Sequence, residues 1–360
     1  MPGVNFTGAK TMSEQTPYVS FVIAGRNDDY GGDFNDRLSN SITQLSYLAE
    51  KYGLPSEYVV VNYNPLSGKP PLAEAIRWPK NRKHLRIRII TVTNEIHQRN
   101  ENPQVRKPLP FYEYIAKNAG IRRAKGEYIC AANPDILFHP GIIEWLSRKP
   151  LRNNCYYRTD RLDFRKPPTP PPSDASKYIE WLKPGIYRTF LKGNHYDEQL
   201  PFGLTLPVLR IYNWGLLKLE LLFSRYPKLG NAVRWEINFH NAEYRYHCNV
   251  SGDFMMMHQG DWFNLHGYPE NTYIALHTDA LFVVNAGVSG LKEKVLRWPI
   301  YHQEHERRYD AQKDEFSPVL RQAYLFFQKE AQGMIAEKKH RIYNPENWGL
   351  ADDSLDEIEI

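Results

Sequence analysis

The chain has 360 residues, a formal charge of +5 and a pI near 8.8. At 42% hydrophobic and 24% charged it has an ordinary globular composition, and its basic residues are scattered, which excludes the dense Lys/Arg stripe of a nucleic-acid binder. Three widely spaced cysteines, Cys130, Cys155 and Cys248, form neither a C-x-x-C pair nor a disulfide framework, as in a reducing compartment.

Residues 1–17 read as a disordered lead-in with no apolar run resembling a signal peptide. Tyr18 to Ala24 is short, apolar and rich in β-branched and aromatic residues, which predicts a buried strand. It runs into a polar, glycine-bearing loop, Gly25 to Gly32. A helix follows, with Leu38, Ile42, Leu45 and Leu48 on one face and Gly53 at its end. Strands at Tyr58 to Val61 and Leu85 to Val92 flank a short helix near Leu72 to Trp78. A helix around Phe111 to Arg123 leads through Gly126 into a strand at Tyr128 to Ala132, and Pro140 opens a further helix at its first position. Alternating strands and helices imply a mostly parallel sheet with right-handed crossovers. The polar loops after its strands then gather Arg26 to Asp29, Asn62 to Asn64 and Asn133 to Asp135 at one crevice.

Tyr156 to Arg161 reads as a strand with a charged exit. Residues 165–176 are proline-rich, a stiff linker or surface loop. From there to Asn249 the pattern is irregular and aromatic-rich, an insertion. Within it, Gly203 to Phe223 is the longest apolar stretch. Pro207, Arg210, Lys218 and Glu220 interrupt it, so it falls short of the roughly 18 apolar residues of a membrane span. Its pattern favours a buried helix-and-strand cap over an amphipathic element at an acceptor or membrane surface. The tail Asp352 to Ile360 is acidic and expected to be disordered.

The segment Asn118-Ala-Gly-Ile-Arg-Arg-Ala-Lys-Gly-Glu-Tyr-Ile-Cys-Ala-Ala-Asn-Pro-Asp135 resembles the N-x-G…A-x-G-x-Y-I…D-x-D region of GT-A glycosyltransferases, family-2-like enzymes that use nucleotide-sugars. Asn133-Pro134-Asp135 stands where that family has D-x-D, with one carboxylate missing. A second block, Cys248 to His258 followed by Asp261 to Glu270, is similar to the family's glycine loop and its G-G-F-D-E turn. Leu276-His277-Thr278-Asp279-Ala280-Leu281 occupies the place of E-D-x-D-L, with only Asp279 retained. Pro299 to His305 supplies two histidines three residues apart.

The resemblance implies a GT-A α/β fold, Rossmann-like, with flanking helices and an aromatic-rich insertion. The expected divisions are a lead-in (1–17), a nucleotide-sugar-binding half (18–164), a proline-rich linker and insertion (165–247), an acceptor-side half (248–335) and a tail (336–360). The implied activity is metal-dependent transfer of a sugar from a nucleotide-sugar, UDP being the expected nucleotide, to a hydroxyl of a glycan or glycoconjugate. Asp135 with His302 or His305 would hold Mn²⁺ or Mg²⁺ on the diphosphate. Arg307 and Arg308 would steer phosphate. Ala24, Gly25, Arg26, Asn27, Asp28, Asn62, Asn64 and Asn118 form the expected nucleotide-binding set. Asn133 joins them as a weak metal ligand, through a metal-bound water, or at the ribose. Gly252 would let backbone approach the donor sugar, and Asp253 and Glu270 would face sugar hydroxyls. The general base lies among Asp279, Glu270 and His277, with Asp279 preferred because it heads an apolar helix. Alternatives are a catalytically inactive GT-A-like binding protein and a sugar-phosphate nucleotidyltransferase. The expected location is cytoplasmic, with peripheral membrane contact or, for a chain lacking its anchor, the secretory lumen as alternatives. Neither nucleic acid nor a membrane-spanning segment is expected.

Overall fold

The seven residues of β1 (Val19–Gly25) are all buried, and alternate side chains serve opposite faces of the sheet. Phe21 and Ile23 pack with Leu38, Ile42 and Leu45 of the Phe34–Tyr52 helix. Val22 and Ala24 face the Glu113–Arg123 helix, through Ile121 and Ala119. A strand covered on both sides needs a near-continuous apolar run, and this one has it. Gly120 marks the closeness of the second helix, since a Cβ there would lie 2.5 Å from the Val22 side chain. The structure is a computed structural model that describes residues 16–101, 109–165, 171–197, 206–225, 245–270, 276–306 and 313–360.

Strands β2 (Ser56–Tyr63), β3 (Leu85–Val92) and β4 (Tyr128–Ala132) join β1 in the parallel order β3-β2-β1-β4. The other described strands are β5 (Ile136–Phe138), β6 (Cys155–Arg158), β7 (Arg161–Phe164), β8 (Ile186–Phe190), β9 (His195–Asp197), β10 (Phe254–His258), β11 (Lys292–Val295), β12 (Ile300–Gln303) and β13 (Asp356–Glu359). They complete an 8-stranded sheet, β11-β6-β10-β4-β1-β2-β3-β13, and a 5-stranded one, β5-β12-β7-β8-β9. The fold is therefore α/β, with a mixed sheet parallel at its centre and helices on both faces. β10 is antiparallel to both β4 and β6, so the Phe254–His258 segment is built into the main sheet.

Three expectations change. The Tyr156 to Arg161 segment divides into β6 and β7, which belong to different sheets. The acidic tail is ordered: β13 pairs antiparallel with β3, and Glu357 holds the buried Arg88 through Nε at 2.6 Å and Nη2 at 2.7 Å. Its carboxylates meet the Arg86 and Arg88 side chains that β3 presents, which is the attraction that composition alone conceals. Finally, the Leu206–Arg225 helix within the insertion is not a buried cap. Its side chains Leu209, Asn213 and Leu217 are buried while Ile211 and Trp214 are exposed. Among the described residues no helix is long and apolar enough to cross a membrane. The expected lead-in falls almost wholly outside the described residues, as do parts of the proline-rich stretch and insertion and Arg307 and Arg308.

Candidate metal and nucleotide site

Asp135 lies between the end of β4 and the start of β5, and β5 pairs with β12 so that Ile136 faces His302. This register brings two distant parts of the chain together. Asp135 Oδ2 lies 3.6 Å from His302 Nε2 and 3.1 Å from His305 Nε2. Two ligands held about 2.1 Å from one ion sit about 3 Å apart at a right angle, so the spacing suits a shared cation. Asp135 Oδ1 is buried without a hydrogen-bond partner, leaving acceptor capacity that the protein does not use. One carboxylate and two imidazoles fit a divalent transition ion better than Mg²⁺, which prefers an all-oxygen shell.

The charges are interlocked. Burial alone would raise the Asp135 carboxyl, but His302 and His305 outweigh it and hold it well below the ordinary carboxylate range. Burial and Arg161 act to lower His302, yet Asp135 and Asp163 push it up to about 9. On its other side His302 Nδ1 faces Asp163 Oδ1 at 3.5 Å, and Asp163 is held by Arg161 at 2.7 Å. Bound metal would take the place of a proton on this histidine. His305 is approached closely by the loop after β1. Gly31, with φ +70°, has room for no side chain there, since a Cβ would lie 2.6 Å from His305 Nδ1.

Asn133 is engaged on both ends of its amide. Its Oδ1 accepts from the buried Lys117 Nζ at 2.7 Å and its Nδ2 donates to Asp253 Oδ1 at 2.6 Å. Lys117 also donates to Glu113 at 2.7 Å and to the Gly252 carbonyl at 2.8 Å. Asp253 is ion-paired with Arg161, which is paired in turn with Asp163. An alternating row of charges therefore links the Glu113–Arg123 helix to His302.

A cavity of about 400 Å³ adjoins these groups. Its lining includes Ala24, Gly25, Arg26 and Asp28 from the carboxyl end of β1, with Asn133, Asp135, Asp253, His302 and His305. Arg26 Nε donates to the Asn64 carbonyl at 2.7 Å, while its Nη1 reaches Asp28 at 3.3 Å. The remaining sequence candidates have other surroundings. Asn27 turns its amide away to Leu66 and Pro70, and Asn64 bonds Pro110 and Asn94. Asn62 is buried with Oδ1 unpartnered, outside the cavity lining.

Asn118 is also outside that lining. It donates to Glu270 Oε1 at 3.0 Å and to the Tyr268 carbonyl at 2.8 Å, and accepts from the Tyr268 N–H at 2.9 Å. Glu270 accepts in addition from the Gly349 N–H at 2.7 Å, and burial raises its carboxyl above the ordinary value. These two residues tie the Gly267 turn and the 349 loop to the central helix. Asp279 Oδ2 accepts from Ser251 Oγ at 2.7 Å and the Gly252 N–H at 2.6 Å, at the second position of the Thr278–Val288 helix. A Cβ on Gly252 would meet Tyr114 Oη at 3.3 Å and Asp279 Oδ2 at 3.4 Å, a tight but not prohibitive fit. Sequence reasoning missed Lys117, Arg161 and Asp163. Charged residues inside or beside apolar runs were the available signal.

No protein-family model matches the chain, and no curated protein matches it. Among solved structures, S. aureus TarS 1-349 aligns at a TM-score of 0.39 and 12% identity, over 79% of this chain. The chain spans 60% of the length of that structure.

Proposed function

We propose that this chain is a metal-dependent glycosyltransferase acting on a nucleotide-sugar. The observation that carries the reading is Asp135. It lies after a buried parallel strand, beside two histidines and on a cavity walled by the carboxyl end of β1, where open α/β sheets bind ligands. The ordered sequence blocks that resemble GT-A enzymes support the same class.

In this reading Asp135, His302 and His305 would hold Mn²⁺, whose chemistry there would be charge neutralisation of a diphosphate leaving group. Arg26 and Asp28 meet the nucleoside in the cavity. Asp253, oriented by its ion pair with Arg161, accepts from donor-sugar hydroxyls. Asp279 is the carboxylate proposed as base on the acceptor hydroxyl, one hydrogen bond behind Gly252. Glu270 is the alternative base: each of the two carboxylates already accepts two hydrogen bonds, and neither lines the cavity. UDP is the proposed nucleotide, and a glycan or glycoconjugate the proposed acceptor.

A second reading, a nucleotide-sugar binding protein without turnover, is favoured by one fact: Asn133 is held by Lys117 and Asp253 at the two ends of its amide, leaving a single carboxylate from this motif. Incubation with a panel of nucleotide-sugars and Mn²⁺, followed by assay of released nucleoside diphosphate, separates the two. Turnover with any donor establishes the enzyme. Mn²⁺-dependent nucleotide binding without turnover establishes the binding protein, and absence of both sinks the whole proposal.

A further inference from the structure

The Leu206–Arg225 helix combines polar anchors on its inner face with an apolar stripe on its outer one. Arg210 reaches inward to Asp160 and to the Leu296 carbonyl, and Asn213 bonds Asn194, Tyr196 and the Lys192 carbonyl. Leu209 and Leu217 are buried beside them. At 100° per residue, Val208, Ile211, Tyr212 and Leu219 then fall on the opposite side, with Trp214 at its margin. All five are exposed, Ile211 at 70% and Trp214 at 62%. Polar side chains thus anchor the helix to the body while an apolar stripe faces outward. Folding alone does not select an exposed stripe of this kind, and such patches mark interaction surfaces.

The chemistry around the stripe indicates its occupant. Trp214 and Tyr212 pair a large apolar ring with one polar atom, the combination that settles at a lipid–water boundary. Lys218 lies within the exposed arc, its ammonium over the Trp214 ring at 5.3 Å from the centroid. The neighbouring strand end is cationic too. Arg210 ties the helix to the backbone of Leu296 and Arg297, next to exposed Lys294, Val295 and Arg297. The chain as a whole carries +5. An apolar stripe with amphipathic rings and basic flanks matches a bilayer whose headgroups are anionic.

We propose that the outward face of the Leu206–Arg225 helix docks the protein on an anionic lipid surface, the helix lying in the plane of the interface. This contact is independent of the reaction proposed above, so it stands or falls separately.

The full chain is sedimented with vesicles of phosphatidylcholine alone and of phosphatidylcholine mixed with phosphatidylglycerol. Binding to the mixed vesicles, weakened by salt and by removal of the anionic lipid, is the expected result. The double variant Ile211→Gln/Trp214→Gln should lower the partition coefficient by roughly tenfold or more, since each side chain forfeits apolar burial. Both residues are exposed, so its urea unfolding midpoint should match the parent's. Lys218→Glu, a purely surface change, should weaken binding to the anionic vesicles alone. Failure of the parent to bind, or equal binding by the double variant, overturns the proposal. A dimer seen by light scattering and abolished by the double variant, without vesicle binding, assigns the face to a second copy of the chain instead.

Discussion

The Asn133 amide donates to Asp253 Oδ1 at 2.6 Å while Lys117 holds its other end. An amide is the side chain this place requires, because it must accept from an ammonium and donate to a carboxylate. The departure from D-x-D thus has a physical partner: Asp253, itself paired with Arg161.

Asn133→Asp should therefore fail to improve the site. It removes the donor to Asp253 and sets two carboxylates in contact, at a cost of about 1–3 kcal/mol. Urea unfolding at neutral pH measures this, and a variant as stable as the parent would contradict the assigned orientation.

Asp135→Asn should abolish metal binding. Saturation at a hundredfold the Kd stabilises a protein by about 2.7 kcal/mol, so Mn²⁺ should raise the parent's thermal midpoint and leave the variant's unchanged. A preserved Mn²⁺ shift would remove Asp135 from the ligand set.

His277 should make the protein sensitive to mild acid. Its ring stacks on Phe327 at 5.5 Å, and burial holds its pKa below the ordinary 6.5 against the opposing pull of Asp279. A depressed folded-state value means that the stabilisation is complete above pH 6.5. It is lost as pH falls further, because the unfolded chain takes up the proton first. His97 and His139 are shifted the same way by burial and add to the slope. His277→Asn, which tolerates the φ of 62°, should flatten part of that slope below pH 6.5. An unchanged slope would rule out this histidine.

Removing residues 356–360 should destabilise the chain and promote aggregation. β3 would lose its antiparallel partner, and Arg88 would keep Glu57 at 2.9 Å and the Arg123 carbonyl at 3.0 Å but lose both bonds to Glu357. Exposed edges pair with other chains, and a lost charge-assisted contact costs about 1–3 kcal/mol. Chemical denaturation and light scattering of the shortened chain provide the check. An unaltered midpoint would show that β13 contributes little.

The sequence by itself determined the alternation of strands and helices and the place of Asp135 after a buried strand. Those features depend on local periodicity and on side chains adjacent in the chain, as in Val19–Gly25 and Tyr128–Ala132. His302 and His305 are legible as candidates only through a resemblance, because nothing local to them indicates a carboxylate. Tertiary structure decided the rest. The register of β12 on β5 and β7 sets His302 between Asp135 and Asp163, and the fold closes Asn133 between Lys117 and Asp253. It also turned the acidic tail into an edge strand and the apolar stretch of the insertion outward. Each of these depends on a partner far away in the chain, and a partner's charge or absence leaves no periodic trace in the segment that meets it.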